Sequence, residues 1–291
     1  HPASHMTPGT LWPATLARTA SARTVNAILS IPTEPVVIEQ NGVPFQVRVM
    51  QALARKALAA SAQTNTDPFL PYDPALFVAD LSPTHVALLN KFTVVDHHLL
   101  MVTRAFEEQT DLLTLEDCEA LRLCLAEIDG LAFYNAGPAA GASQRHKHLQ
   151  LIPLSVFPDR RVPMAPLLAP AQSGHSPSRL PGLPFLHAYT PIDEAWLDPR
   201  QNGASAILAC YQASLRATGL SDEQPSAPYN LLVTRQWLLV VPRSQEYCEG
   251  ISVNALGFAG ALLVKDAAQL AVVKQQGPLA VLRHVTYPRT G

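Results

Sequence analysis

The run Arg145-His146-Lys147-His148-Leu149-Gln150-Leu151 constrains the fold of this chain more than any other segment. Side chains of an extended strand alternate between faces with a period of two. As a strand, the run puts His146, His148 and Gln150 on one face and Lys147, Leu149 and Leu151 on the other. Just upstream lies Gly137-Pro138-Ala139-Ala140-Gly141-Ala142-Ser143-Gln144, a loop of small residues whose backbone N–H groups can come close to an anion. Two imidazoles and an amide beside a nest of phosphate size point to attack on phosphorus by a histidine.

A neutral imidazole is nucleophilic near pH 7 because its ordinary pKa lies just below that. One histidine of the pair can attack while the other supports its orientation. The Gln150 amide can hydrogen-bond a phosphoryl oxygen without exchanging a proton. A bare His-x-His reads more readily as a surface strand with two incidental histidines, or as half a metal site. Gly141-Ala142-Ser143 at its offset, Gln150, and a strand end at Pro153 shift the balance toward phosphoryl chemistry.

The rest of the chain fits an α+β fold: an antiparallel sheet built from hairpins, with flanking helices. Asn41-Gly42 between apolar flanks predicts a hairpin over 36–49. Runs at 88–95 and 99–103, separated by Asp96-His97-His98, predict a second, and 230–234 with 237–241 a third, through Arg235-Gln236. Helices are expected at 11–30, 50–61, 201–218 and 255–265. Thr114-Leu115-Glu116-Asp117 resembles a capping box; its helix carries Leu115, Cys118, Leu121, Leu125 and Ile128 on one side, and Gly130 ends it. Asp266 with Gln269 suggests another box, and Gly277-Pro278 a stop. Seven prolines within 157–185 exclude regular structure there, which leaves a linker or a flap near the site, the flap being favoured.

The 291 residues and 48% apolar content allow a large core. A formal charge of −2 gives no global case for nucleic acid or an acidic membrane surface, although Arg145, Lys147, Arg160 and Arg161 cluster near the motif in sequence. No apolar stretch reaches the roughly 18 residues of a membrane span, and no signal-peptide pattern opens the chain. The segment 1–6, His1-Pro2-Ala3-Ser4-His5-Met6, reads as a tag remnant and is set apart. Cys118, Cys124, Cys210 and Cys248 form no Cys-x-x-Cys pair, which speaks against a zinc site or disulfide framework and fits a reducing cytoplasm.

These motifs resemble the histidine-triad superfamily in the branch where glutamine replaces the third histidine. That branch holds the galactose-1-phosphate uridylyltransferases and the diadenosine tetraphosphate phosphorylases (ATP adenylyltransferases). The remaining segments are similar to the second group: Asp67-Pro68-Phe69-Leu70-Pro71-Tyr72-Asp73-Pro74, Leu88-Leu89-Asn90-Lys91-Phe92, Tyr229-Asn230-Leu231-Leu232, Pro242-Arg243-Ser244, and Asn254-Ala255-Leu256-Gly257-Phe258-Ala259-Gly260, ending at Val264-Lys265. The likeness spans about 45–285.

The resemblance implies a histidine-triad-like antiparallel sheet with flanking helices, extended by a C-terminal α/β segment. It divides the chain into a catalytic region over 7–170 and a C-terminal ATP adenylyltransferase region over 186–291, packed into one globule. The implied reaction is cleavage of diadenosine tetraphosphate by inorganic phosphate to ATP and ADP, through an adenylyl group on His148. His146 would orient or polarise the nucleophile, and Gln150 with the backbone of Gly141, Ala142, Ser143 and Gln144 would stabilise the charged oxygens. Lys56, Asn90, Lys91, Asn135, Asn254 and Lys265 are implied as nucleotide or polyphosphate contacts. Taken alone, Asn90 and Lys91 read as one buried polar and one solvent residue, Lys56 as a solvated helix lysine, Asn135 equally as a structural residue, and Lys265 as a cation near a helix C-terminus. Arg243 reads as an ion-pair residue, His85, His97 and His98 as structural or surface residues, and Phe69 and Tyr72 as packing. No metal ligands and no tightly bound cofactor are expected; Mg²⁺ is compatible with the substrate, held mainly by phosphates. Hexose-1-phosphate uridylyl transfer is the nearest alternative, weakened by the missing Cys-x-x-Cys pair. A dinucleoside polyphosphate hydrolase and a non-enzymatic sensor are the others, the sensor being hard to reconcile with an intact His148.

Overall fold

The computed structural model describes residues 6–61, 66–168, 174–225 and 227–289; nearly all of the expected tag remnant, and 169–173 of the proline-rich segment, lie outside them. The fold is α+β, as expected. Its centre is an eight-stranded antiparallel sheet in the order Ala188–Pro191, Trp237–Pro242, Tyr229–Val233, Gly130–Ala136, His148–Pro153, Leu99–Thr103, His85–Leu89 and Phe77–Asp80. Tyr229–Val233 pairs with Gly130–Ala136, so one sheet draws on both the early and the late parts of the chain.

One face of this sheet is sealed by the helices Leu11–Thr24, Leu115–Glu127 and Gly203–Ala217. Leu149, Leu151, Leu99 and Met101 from neighbouring strands join that core. Leu11–Thr24 turns Leu11, Thr15, Thr19 and Ala22 inward as a buried stripe, and the two buried threonine hydroxyls are satisfied by donating to carbonyls four residues earlier. It stops short of the expected residue 30. Asn26 takes a left-handed backbone at φ 54°, and the Ala27 N–H bonds the Ala22 carbonyl, a helix-ending pattern. The capping box at Thr114 and Asp117 is complete. Its helix buries Cys118, Leu121 and Leu125, with Ile128 buried just past its end, whereas Leu115 faces solvent, 44% exposed. Glu127 is the last helical residue, and Gly130 opens the next strand rather than ending the helix.

The other face is divided. Over one half lies a second core that includes Phe133, Ile152, Leu239 and Val241, covered by residues from 157–185 and 251–285. Over the other half lies a small cluster of Phe69, Val86, Leu88, Leu100 and Val102. The expected hairpin is present as Thr33–Gln40 and Val43–Met50, turning through Asn41 and Gly42 at positive φ. Its second strand also pairs in parallel with Ala261–Val264, making a three-stranded sheet beside the main one.

Two expectations change here. The segment 255–265 is not one helix: a single turn, Ala255–Phe258, gives way at Gly260 to the strand Ala261–Val264. Gly260 has φ 95°, and a Cβ there would lie 2.8 Å from that of Pro163, so it provides both the turn and a close approach. An apolar run this short carries no period that separates helix from strand. The proline-rich segment is not a flap: Phe157, Val162, Met164, Leu168, Leu180, Leu183 and Phe185 are buried in the second core. Pro158 and Pro166 sit in single 3₁₀ turns. Among the described residues no helix is long and apolar enough to cross a membrane, and all four cysteines are buried and free.

Candidate active site

The motif strand delivers the alternation expected of it. His148 and Gln150 lie opposite Val102 and Leu100, on the face away from the helices and at the seam between its two halves. Phe69 packs against the rings of both His146 and His148.

His148 is 4% exposed. Its Nδ1 lies 2.8 Å from the His146 carbonyl oxygen. A carbonyl only accepts, so Nδ1 carries the proton and Nε2 keeps its lone pair. Among the described residues Nε2 has no hydrogen-bond partner. Burial pushes the His148 pKa down to about 4, which leaves the ring neutral throughout the neutral range. His146 therefore orients His148 through its backbone. Its own ring is bound on both sides: Nδ1 to Asp67 Oδ2 at 2.7 Å, and Nε2 to the Thr103 carbonyl at 2.7 Å.

Gln109, not singled out in the sequence, holds the His148 backbone. Its Oε1 accepts from the His148 N–H at 2.9 Å, and its Nε2 donates to the carbonyls of His148 at 3.1 Å and Asn135 at 3.0 Å. Pairing between Gly130–Ala136 and the motif strand ends at Phe133 and Gln150, and beyond that point the Gln109 amide supplies the bonds a neighbouring strand would. On the helix side, Lys147 is fully buried. Its Nζ meets Asp117 Oδ2 at 2.6 Å and Glu107 Oε2 at 3.1 Å, while Asp117 Oδ1 meets His85 Nε2 at 2.9 Å. Burial alone would raise the Asp117 pKa, but the His85 hydrogen bond and the charge of Lys147 bring it below the ordinary value. The basic cluster suggested by the sequence does not form at the site: Lys147 points to the opposite face, Arg145 pairs with Glu108 and Arg160 with Asp129.

Beside the motif strand opens a cleft of about 270 Å³ lined by residues that include Gln46, Arg48, Asn90, His98, Ile152, Phe157, Asn254, Leu256 and Lys265. Gln46 and Arg48 alternate along one strand of the small sheet, and Lys265 follows its parallel neighbour. Lys265 thus ends a strand, not a helix. His98 joins cleft to motif, its Nε2 lying 2.8 Å from Gln150 Oε1. The small-residue loop abuts the cleft at Gly141, where φ is 90° and a Cβ would lie 2.7 Å from the Asn254 Cβ.

The candidate residues separate into groups. Asn90, Asn254 and Lys265 line the cleft; Gln150 reaches it through His98, and the loop abuts it at Gly141 beside Asn254. Within the loop, the N–H groups of Gly141 and Ala142 are bonded to Pro138 and Gly137. Those of Ser143 and Gln144 have no partner among the described residues, so they are the donors available to an anion. Asn135 is buried, and its Oδ1 accepts from Asn230 Nδ2 and the Ala255 N–H, which ties the loop to the Asn254 turn. Lys56 and Lys91 are exposed and do not line the cleft; Lys91 sits over the Phe92 ring. Among the described residues Arg243 forms no ion pair. Fully buried, it donates to Asn230 Oδ1 at 2.6 Å and to the carbonyls of Ala140, Val285, Gln245 and Glu246. His98 and His85 prove to be specifically partnered, and strand spacing carries no signal for either because both meet residues distant in sequence. Among the described residues no group of His, Cys, Asp and Glu could hold a metal ion.

Burial lowers three histidines, His98, His148 and His187, to about 4. Unfolded, each returns to about 6.5 and takes up a proton wherever the pH lies between the two values. Stability from these rings is therefore complete above about pH 6.5 and declines as pH falls toward 4. Melting temperatures recorded from pH 7.5 down to 4.5 should fall continuously below about 6.5; a flat profile would show that the rings titrate freely in the folded protein.

Comparison with known proteins matches this architecture. A family model described as Ap4A phosphorylase N-terminal domain matches residues 1–170, and one described as ATP adenylyltransferase C-terminal domain matches 181–288. The diadenosine tetraphosphate phosphorylase 2 of Saccharomyces cerevisiae is 30% identical over 249 residues, covering 74% of this chain and 75% of that protein. The crystal structure of yeast Ap4A phosphorylase Apa2 superposes with a TM-score of 0.82 at 25% identity, covering 98% of this chain and 100% of the other. The same protein in complex with Ap4A gives 0.80 at 26% identity, with the same coverage.

Proposed function

The chain belongs to the Ap4A phosphorylase family of nucleotidyltransferases, and from that premise we propose that it cleaves diadenosine tetraphosphate with inorganic phosphate, releasing ATP and ADP by way of an adenylyl group carried on His148. The observation that carries this reading is the pinned tautomer of His148, with Nδ1–H held by the His146 carbonyl and Nε2 unpartnered among the described residues, two residues along the strand from Gln150, which bonds the cleft-lining His98. Nε2 attacks the α-phosphorus of one adenylate. The N–P bond forms as the bridging P–O bond breaks, and that oxygen leaves with ATP. The substituted ring keeps its Nδ1 proton and becomes a cation, which the His146 carbonyl and the nearby Asp67 carboxylate favour. Phosphate then attacks the same phosphorus, freeing His148 and giving ADP.

Donors aimed at the pentavalent oxygens are the largest expected catalytic contribution; the Gln150 amide and the N–H groups of Ser143 and Gln144 would act in this way. Lys265 and Arg48 share one wall of the cleft and would neutralise the outer phosphates. Mg²⁺, if it takes part, would arrive on the polyphosphate and keep few protein ligands.

An amide cannot serve as a general base, so water is poorly activated at Gln150, whereas phosphate dianion arrives already nucleophilic. Chromatography of products from diadenosine tetraphosphate should show equal ATP and ADP in the presence of phosphate, with isotope from labelled phosphate in the ADP. Omitting phosphate should reduce steady turnover by more than about a hundredfold, within the range attributed to general-base activation. Rapid release of AMP without phosphate would overturn the phosphorolytic reading in favour of hydrolysis.

A further inference from the structure

A chain of hydrogen bonds runs from the edge of the cleft to Gln150, and each link fixes the next. The Phe92 carbonyl can only accept, and Asn90 Nδ2 lies 2.8 Å from it. This settles which end of the Asn90 amide is nitrogen. The same Nδ2 lies 3.3 Å from His98 Nδ1, so Nδ1 is the accepting nitrogen and the ring proton sits on Nε2. His98 Nε2–H then points at Gln150 Oε1, 2.8 Å away, which leaves the NH₂ end of that amide turned away from His98 with no partner among the described residues.

We infer that His98 is a positioning residue for the reaction: it locks the Gln150 amide so that N–H, and not C=O, faces the phosphoryl group transferred to His148. The inference rests on the adenylyl-transfer reading above and adds a function for a histidine outside the His-x-His-x-Gln motif. The two ends of an amide have nearly the same shape, and only hydrogen bonding tells them apart. With the ends reversed, a carbonyl oxygen would face phosphoryl oxygens in a partly dry cleft, where mismatched polar groups cost most. His98 is suited to the task because burial pushes its pKa down to about 4. The ring therefore remains neutral, with one donor and one acceptor and no added charge beside His148. The backbone reinforces the arrangement: the Asn90 N–H donates to the His98 carbonyl at 2.8 Å, so the two links at the mouth of the hairpin are held in register.

The test is a double-mutant cycle in kcat on the full chain, with diadenosine tetraphosphate and saturating phosphate. His98→Phe should lower kcat by about ten- to a hundredfold when Gln150 is present, a fraction of what a lost oxyanion donor costs, with a smaller change in KM. In a Gln150→Ala background the same substitution should cost less than about threefold, because there is no amide left to orient. His98→Gln, which restores a side-chain N–H donor, should recover most of the loss. Factors for His98→Phe and Gln150→Ala that simply multiply would overturn the inference, as would a His98→Gln variant that melts like the parent yet is as slow as His98→Phe. If His98→Phe fails to fold, the His98→Gln result decides alone. Wild-type kcat in Gln150→Ala would sink the role of Gln150 in the parent reading and this inference with it, an outcome distinct from multiplying factors, which would leave that role standing.

Discussion

His148→Ala is expected to lower turnover of diadenosine tetraphosphate by at least about four orders of magnitude, the scale seen when an enzyme loses its nucleophile, while nucleotide affinity stays within a few-fold of wild type. The asymmetry follows from placement. His148 is almost wholly buried and does not line the cleft, so its loss removes the reacting nitrogen without reshaping the pocket. Gln109 bonds the His148 backbone and not its ring, so the strand should keep its position in the variant. Single-turnover kinetics and equilibrium binding of a nucleotide separate the two quantities. Activity above about a tenth of wild type would move the nucleophile elsewhere, and a collapse in affinity would mean that the ring is part of the binding surface.

The second large effect lies on the other side of the same strand. Lys147→Met should destabilise the protein by about 3–5 kcal/mol, the usual cost of removing one partner from a buried ion pair. For a domain of this size that corresponds to roughly 6–10 °C in Tm. The replaced ammonium faces Asp117, which would remain buried, 1% exposed, with only His85 as a side-chain partner. Asp117 also caps the helix Leu115–Glu127 by accepting from the Thr114 N–H, so strand and helix would loosen together. Replacing the pair by Lys147→Met with Asp117→Asn should recover part of the loss, since an amide leaves no unpaired charge. A Tm within about 2 °C of wild type for the single variant would show that water reaches Asp117 in solution.

What could be read in advance was local. The alternation of faces from His146 to Leu151, the Asn41-Gly42 turn and the Thr114 cap depend on two to seven consecutive residues and hold as the sequence implies, although the regular strand begins at His148, with His146 reduced to a single bridge to Glu108. The apolar run at 255–265 failed because Leu262, Leu263 and Val264 suit a strand as well as a helix; the parallel partner that decides the matter lies more than two hundred residues earlier. The proline count at 157–185 excluded regular structure correctly, yet it could not tell that Phe157, Met164 and Phe185 would carry the segment into a core. The site shows the same division. Motif residues on one strand were legible. Asp67, His98, Gln109 and Arg48 were not, because each meets the site from another strand or loop, and nothing in a linear pattern records that meeting.

The wall of the cleft formed by Gln46, Arg48 and Lys265 has a temporal side. Val43–Met50 is synthesised early, but its parallel partner Ala261–Val264 leaves the ribosome some two hundred residues later. Until then one edge of an apolar hairpin has no neighbour, the kind of edge that invites pairing with other chains, and loop closure over so long a span is slow to nucleate. The cleft thus cannot be completed before Ala261–Val264 has emerged. A truncated or stalled polypeptide would carry the entire His-x-His-x-Gln motif and still lack the surface that gives it something to act upon.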